Sequence, residues 1–75
     1  MAENSTDATS HASAASLAVM ADHVERYQQE VAELLPGYQL RQRDDIVTSL
    51  VEAERSLRTA ARNLRRSAKL ADPSY

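Results

Sequence analysis

Two heptad patterns on either side of the chain's one glycine constrain this sequence more than any other feature. Before the glycine, seam residues follow one another at alternating steps of three and four, and they are Leu17, Met20, Val24, Tyr27, Val31 and Leu34. After it, the same spacing runs through Val47, Leu50, Glu54, Leu57, Ala61, Leu64, Ala68 and Ala71. Such spacing places one stripe on each helix, as in a coiled-coil seam. The sequence therefore predicts an all-α chain built from two long helices.

The segment Leu35-Pro36-Gly37 predicts where the first helix ends. Proline lacks the N–H that continues the helical hydrogen bonds, and glycine suits a left-handed cap. A short connection of this kind favours antiparallel neighbours. We expect a helical hairpin over residues 14–71, with helix 1 at about 14–35, a turn over 36–43, and helix 2 from about 40 or 44 to 71.

The two seams match each other when the chain folds back between Leu40 and Arg41. Each of the six seam positions of helix 1 then faces a seam position of helix 2. The one polar seam residue, Glu54, lies opposite Tyr27, whose hydroxyl could donate to the carboxylate. Alternatively, Glu54 lies at the edge of the seam and reaches water. The pattern predicts an antiparallel two-helix hairpin with coiled-coil-like packing.

The two ends of the chain have a different composition from the hairpin. Residues 1–13 are rich in Ser, Thr and Ala and have no large apolar residue after Met1. Such a stretch buries too little surface to offset its ordering entropy, and we expect it to be disordered. Residues 72–75 form a short tail, because Pro73 disfavours helix at the preceding residue.

Self-association is expected because a single hairpin makes a thin core, and the chain has no cysteine to form a disulfide. We predict a homodimer that forms a four-helix bundle; the alternative is a hairpin completed by a different protein. Small or apolar residues run beside the main seam of helix 2, and others widen the apolar faces. The predicted self-association residues are Ile46, Ala53, Ala60, Leu35 and Val51.

Charge divides the chain unevenly. Residues 1–54 contain three basic and ten acidic residues, whereas residues 55–75 contain six basic residues and one acidic residue. The basic residues of the second part follow helical spacing along one stripe. They are Arg55, Arg58, Arg62, Arg65, Arg66 and Lys69. Tyr38 and Arg41 at the connection form a weaker second patch.

Three interpretations of this basic stripe remain open. The cations could complement the helix dipole and simply face solvent. They could dock an acidic surface, on a partner protein or on another copy of the chain. They could also contact nucleic-acid phosphates, although the pI near 5.6, the net charge of −2 and the lack of interleaved aromatic residues argue against this.

The sequence has no motif for catalysis, cofactor binding or metal binding. One glycine excludes a glycine-rich phosphate loop, and neither histidine has a second histidine three or four residues away. We expect no enzyme activity, no cofactor and no metal. No apolar run approaches the ~20 residues of a membrane span, and residues 1–16 lack the features of a secretory signal. We expect a cytoplasmic protein with no membrane span.

The sequence favours a small non-catalytic interaction protein, an adaptor or regulator that self-associates and docks a partner through the basic stripe. One alternative is a nucleic-acid-binding regulator that uses the same stripe. In outline, a dimerising hairpin is similar to the Rop-type plasmid RNA-binding protein, a similarity of architecture only, because no motif matches. A third class is a structural assembly unit held together by acid-to-base contacts between copies.

Overall fold

A helical hairpin is the whole architecture of the described chain. The computed structural model describes the backbone of residues 2–74 and the side chains of residues 12–74. Its two helices, α1 (Ala2–Leu40) and α2 (Asp44–Ala71), pack against each other along a rod of 61 × 16 × 13 Å. The predicted all-α hairpin is confirmed. Neither helix of this described part combines the length and the apolar character that crossing a membrane requires.

The turn lies closer to the C-terminus than the sequence predicts. α1 continues through Pro36 and Gly37 to Leu40, so only residues 41–43 connect the helices. Pro36 removes one backbone donor, but the next turn is still helical, and the Arg41 N–H donates to the Gly37 carbonyl at 3.3 Å. The structure thus corrects the helix end at residue 35 and the turn over 36–43.

A Schellman motif centred on Gln42 closes α1. Gln42 has a φ of 57°, in the left-handed region. Its N–H donates to the Gln39 carbonyl and the N–H of Arg43 donates to the Tyr38 carbonyl, each at 3.1 Å. These bonds satisfy carbonyls that the end of a helix would otherwise leave without donors. Gln42 therefore takes the left-handed position that the sequence analysis assigns to Gly37.

Substitutions at Gly37 and Gln42 test where α1 ends. We expect Gly37→Ala to stabilise the protein by about 0.5–1 kcal/mol, because glycine within a helix is less favourable than alanine by that amount. The added Cβ would meet nothing within 4 Å outside its own helix backbone. We expect Gln42→Gly to stabilise by about 1 kcal/mol, since glycine adopts the left-handed conformation without strain.

Thermal unfolding followed by circular dichroism measures both effects. A left-handed cap at Gly37 predicts the opposite sign, because alanine would be forced into an unfavourable conformation. A melting temperature for Gly37→Ala below that of the unsubstituted chain would therefore contradict a helix that runs to Leu40.

α2 begins at Asp44, the later of the two predicted starts. Asp44 and Asp45 lie in its first turn, where carboxylates meet the positive end of the helix dipole. Arg43 donates from Nε and Nη2 to the Asp45 carboxylate oxygens at 3.2 and 3.1 Å. This contact lowers the pKa of Asp45 below its ordinary value. The acidic first turn therefore fixes where the second helix starts.

α2 ends where the sequence places the short C-terminal tail. The Asp72 backbone N–H donates to the carbonyls of Ala68 and Lys69, each at 3.2 Å. The Asp72 carboxylate then accepts from the backbone N–H and the hydroxyl of Ser74, at 3.0 and 2.8 Å. Pro73 lies between them and cannot continue the helix.

The N-terminal part of α1 extends past the end of α2. α1 has 39 residues and α2 has 28, and Ala14 lines the same shallow depression as Asp72. Residues 2–13, for which the sequence predicts disorder, are helical in the structure. These residues continue the backbone hydrogen bonds of α1 beyond the end of α2. Their helical structure therefore depends on extension from the part of α1 that packs against α2.

The later turn changes which residues of α1 face α2. Every predicted seam residue of α2 is buried or half-buried. On α1, however, Ala21 is fully buried, and Gln28 and Leu35 are half-buried. Of the six predicted seam residues of α1, Leu17, Val24 and Val31 are half-buried. The other three, Met20, Tyr27 and Leu34, lie outside this line and are 49%, 53% and 54% exposed.

The register of the hairpin changes with the turn. The connection is centred on Gln42 rather than on the Leu40–Arg41 bond. Gln28, one residue further along α1 than predicted, is the partner of Glu54, and its Nε2 donates to Glu54 Oε1 at 2.7 Å. The predicted Tyr27–Glu54 pairing is corrected accordingly.

Candidate interaction surfaces

An ion-pair cluster defines one broad face of the hairpin. Arg65 of α2 reaches across to two carboxylates of α1. Its Nη2 donates to Asp22 Oδ1 at 3.0 Å, and its Nε donates to Glu25 Oε2 at 3.2 Å. The hydrogen bonds that Arg65 donates to Glu25, and then the one to Asp22, raise the pKa of Arg65 above its ordinary value. We call this side of the hairpin the charged face; it carries Asp22, Glu25, Arg58, Arg62 and Arg65.

Three cations of the predicted basic stripe contact carboxylates of this chain. Arg65 makes the contacts just described. Arg58 pairs with Glu54 one turn earlier on α2, and Arg55 lies 3.7 Å from a Glu52 oxygen. The Arg55 pair is exposed on both sides, and such surface pairs contribute little to stability. Half of the stripe is therefore neutralised within the hairpin.

The other three cations of the stripe lie toward the C-terminal end of α2. Arg62, Arg66 and Lys69 are exposed, and within the described side chains of residues 12–74 they form no ion pair. The steps of four and three residues between them place their side chains on one flank of the helix. We call Arg62, Arg66 and Lys69 the basic cluster.

A shallow depression lined mainly by alanine adjoins the basic cluster. It is lined by Ala14, Ala15 and Ala18 of α1, by Ala68 and Lys69 of α2, and by Asp72. Small side chains allow a partner segment to approach both helices closely. Charge and an accessible apolar strip thus occur together at the open end of the hairpin.

The weaker patch of Tyr38 and Arg41 lies at the opposite end of the hairpin. Both residues line a small depression with Leu34 and Gly37. Tyr38 is half-buried within the last turns of α1, rather than in a connecting loop, and Arg41 is exposed. The structure brings these two residues together but separates them from the basic cluster by most of the length of α2.

Between Ile46 and Ser67, the second broad face of the hairpin carries no Asp, Glu, Lys or Arg along its α2 flank. Arg65 of α2 contacts Asp22 and Glu25 of α1, so the flanks of the two helices that carry these residues lie on the same face of the hairpin. The opposite flanks of the two helices therefore lie together on the other face. At 100° per residue, that face combines exposed apolar residues of α1 with small or polar uncharged residues of α2. We call it the uncharged face, and it comprises Met20, Tyr27, Leu34, Ile46, Ser49, Ala53, Ser56, Ala60, Asn63 and Ser67.

The predicted self-association residues divide between different places. Ile46, Ala53 and Ala60 lie on the uncharged face. Leu35 is half-buried between the two helices, and Val51 is half-buried on the flank that leads to the charged face. The heptad pattern does not reveal the exposed apolar residues of α1, because it predicts that they lie in the contact within the hairpin.

Sites for metal ions are absent from the part of the chain whose side chains are described. No group of three His, Cys, Asp or Glu side chains comes together there. No protein-family model, curated protein or solved structure is significantly similar to this chain. The two surfaces of the hairpin are therefore the features that bear on function.

Proposed function

We propose that this chain is a cytoplasmic, non-catalytic interaction protein, which self-associates into a four-helix bundle and docks an acidic partner protein through its basic cluster. One observation carries the proposal: the two broad faces differ in kind. One face exposes apolar side chains without charge, whereas the other concentrates the ions and leaves three cations without a carboxylate partner among residues 12–74. Such a division provides one surface for association and another for recognition.

The basic cluster suits carboxylates of a partner. Guanidinium groups bind carboxylates through paired hydrogen bonds, and two of the three cations are arginine. Their side chains are exposed, so a partner can reach them without rearranging the hairpin. Acidic residues on a partner segment that enters the neighbouring alanine-lined depression would lie within reach of Lys69.

The neighbouring acids favour a protein over a nucleic acid. Asp22 and Glu25 lie on the same face as the basic cluster and remain 68% and 44% exposed at their side chains. A polyanion on this face would meet these carboxylates as well as the cations. A protein surface can place opposite charges against both signs, which gives specificity and a faster association rate.

Self-association is supported by how little the hairpin buries. Ala21 and Ala61 are the buried hydrophobic residues of the described side chains, and no large side chain among them is fully buried. Chains of this size usually need oligomerisation, a disulfide or a metal to supply the missing stability. A four-helix bundle would cover apolar surface that the hairpin leaves in water.

Neutralising the basic cluster is expected to weaken binding of an acidic helix by tenfold or more, the equivalent of about 1.4 kcal/mol. The probe is a labelled glutamate-rich helical peptide, and a labelled DNA duplex of equal charge serves as competitor. Fluorescence anisotropy at two salt concentrations measures both. The variant carries three substitutions, Arg62→Gln, Arg66→Gln and Lys69→Gln.

A matched control removes the same number of positive charges elsewhere, with Arg26→Gln, Arg41→Gln and Arg55→Gln. We expect this control to bind the peptide within about threefold of the unsubstituted chain, since it spares the cluster. Equal losses in both variants would show a general effect of net charge and contradict a docking site. Tighter binding of DNA than peptide, with a steep dependence on salt, would instead support the nucleic-acid regulator.

A further inference from the structure

Three large apolar side chains of α1 form an exposed ridge. Met20, Tyr27 and Leu34 are each about half exposed, and they follow one another at seven-residue steps. Two such steps span about 21 Å along a helix. The ridge therefore runs along the hairpin as a continuous line and contacts water over much of its surface.

Small residues of α2 lie in a line beside this ridge, on the same uncharged face, and we call this line the groove. Ala53, Ala60 and Ser67 follow the same seven-residue step, with Ile46 one step earlier. Ser49, Ser56 and Asn63 alternate with them and carry no charge. An apolar ridge placed in this groove would bury no charged side chain, so it avoids the largest cost of forming an interface.

We infer that the uncharged face is the interface of the four-helix bundle, with the ridge of each protomer seated in the small-residue groove of a second copy. The inference rests on the proposed self-association and specifies its contact. In a two-fold dimer both protomers use the same surface: if residue i of one protomer contacts residue j of the other, then residue j of the first also contacts residue i of the second. The surface must therefore carry both the ridge and the groove. The ridge and the groove lie side by side on one face and satisfy that condition.

The area of the uncharged face is compatible with binding of a second copy of the chain. From Ile46 to Ser67 the face is about 33 Å long, and the hairpin is 16 Å wide. This gives about 530 Å² in projection. The accessible surface of a ridged face is larger than its projection, and each partner buries ~800 Å² of accessible surface in a standard interface. The ridge and the groove both repeat every seven residues, so ridge residues of one copy can stay aligned with groove residues of the other along the whole interface.

A charge placed in the groove is expected to separate the protomers. We expect the unsubstituted chain, with a mass of 8.3 kDa, to sediment as a dimer, and Ala60→Arg to raise the dimer dissociation constant by at least about 100-fold. Thr59→Arg is the matched control: it adds the same charge at the neighbouring residue, which is exposed but outside the uncharged face. We expect that control to remain dimeric. Sedimentation equilibrium and circular dichroism measure association and helicity.

Mixing two weakened variants tests the reciprocal contact. Tyr27→Glu should weaken the dimer from the ridge side, as Ala60→Arg does from the groove side. In a mixed dimer, one ridge–groove contact is intact, and the other brings the introduced carboxylate to the introduced guanidinium. We therefore expect the mixture to form a heterodimer more tightly than either variant forms its own dimer, as measured by native mass spectrometry. Variants that merely failed to fold would not regain association.

The outcomes separate this inference from the proposed function. A monomeric unsubstituted chain would contradict self-association itself, and the ridge–groove contact with it. A dimer that survives Ala60→Arg as well as Thr59→Arg would leave self-association standing and overturn only the assigned interface. Helical variants that fail to form the heterodimer on mixing would also overturn it, because a two-fold contact requires the rescue.

Discussion

Ala21→Asp is expected to unfold the hairpin. Ala21 is 0% exposed and lies in the line of residues through which α1 packs on α2. A carboxylate there would lose its hydration in the contact between the helices, a cost of several kcal/mol when no partner compensates it. Single cores in chains of this size rarely supply more than about 3–5 kcal/mol. The substitution therefore removes most or all of the stability.

Val19→Asp is the control for this substitution. It introduces the same side chain two residues earlier on α1, at a position that is 51% exposed. Replacing alanine rather than valine costs up to about 0.7 kcal/mol more in helix propensity, so a difference between the variants beyond that amount reports burial. We expect Val19→Asp to keep a cooperative thermal transition by circular dichroism and Ala21→Asp to lose it. Equal melting temperatures would mean that Ala21 does not lie in the contact between the helices.

The hairpin and the seam of α2 could be predicted because they depend on local pattern. The seam of α2 continues over eight positions without proline or glycine, and at each of them the structure buries or half-buries the residue. Its start at Asp44 is one of the two starts that the sequence leaves open, and two carboxylates in the first turn favour it. Such features require no knowledge of what packs against the helix.

The face that α1 turns toward α2 was predicted only in part, because three of its six predicted seam residues are half-buried and three are exposed. Two adjacent lines on α1 both repeat every seven residues, one through Met20, Tyr27 and Leu34 and the other through Ala21, Gln28 and Leu35. A pattern of hydrophobicity favours the line with the larger residues. The hairpin uses the other line, in which alanine permits close approach of the helices, and leaves the larger residues outside.

The cations of the candidate site could be predicted from the sequence, but their carboxylate partners could not. Helical spacing alone places the six cations of α2 on one side. Which of them find carboxylates depends on the register, because Arg65 pairs with residues of α1 that are 40 and 43 positions away in sequence. That register follows from the turn at Gln42, where a non-glycine residue adopts a left-handed conformation. Nothing in local propensity favours glutamine there over the nearby glycine.

Replacing the polar pair in the seam is expected to raise stability. The Glu54 side chain is only 12% exposed, so the carboxylate has lost most of its hydration. Gln28 and Arg58 compensate part of that cost. Replacing a buried polar or ionic group by well-packed apolar residues is often stabilising by about 1–4 kcal/mol.

We therefore expect Gln28→Leu/Glu54→Leu to melt above the unsubstituted chain, by roughly 4–8 °C for each kcal/mol gained. Gln28→Leu alone should melt lower, because it leaves a largely buried carboxylate with one partner fewer. Glu52→Leu/Arg55→Leu replaces an exposed ion pair on the same helix and should change stability by less than about 0.5 kcal/mol.

The same double variant shows what the polar pair contributes besides stability. A single polar residue in a coiled-coil seam fixes register and the number of helices, at a cost in stability. If Gln28 and Glu54 serve this purpose, the double variant should be more stable yet less uniform in mass by light scattering, because an all-apolar seam admits shifted pairings. A variant that is more stable and still uniform would assign register to the turn at Gln42 and to Ala21 and Ala61 instead. A double variant that melts below the unsubstituted chain would mean that the hydrogen bond and ion pair outweigh the desolvation of Glu54.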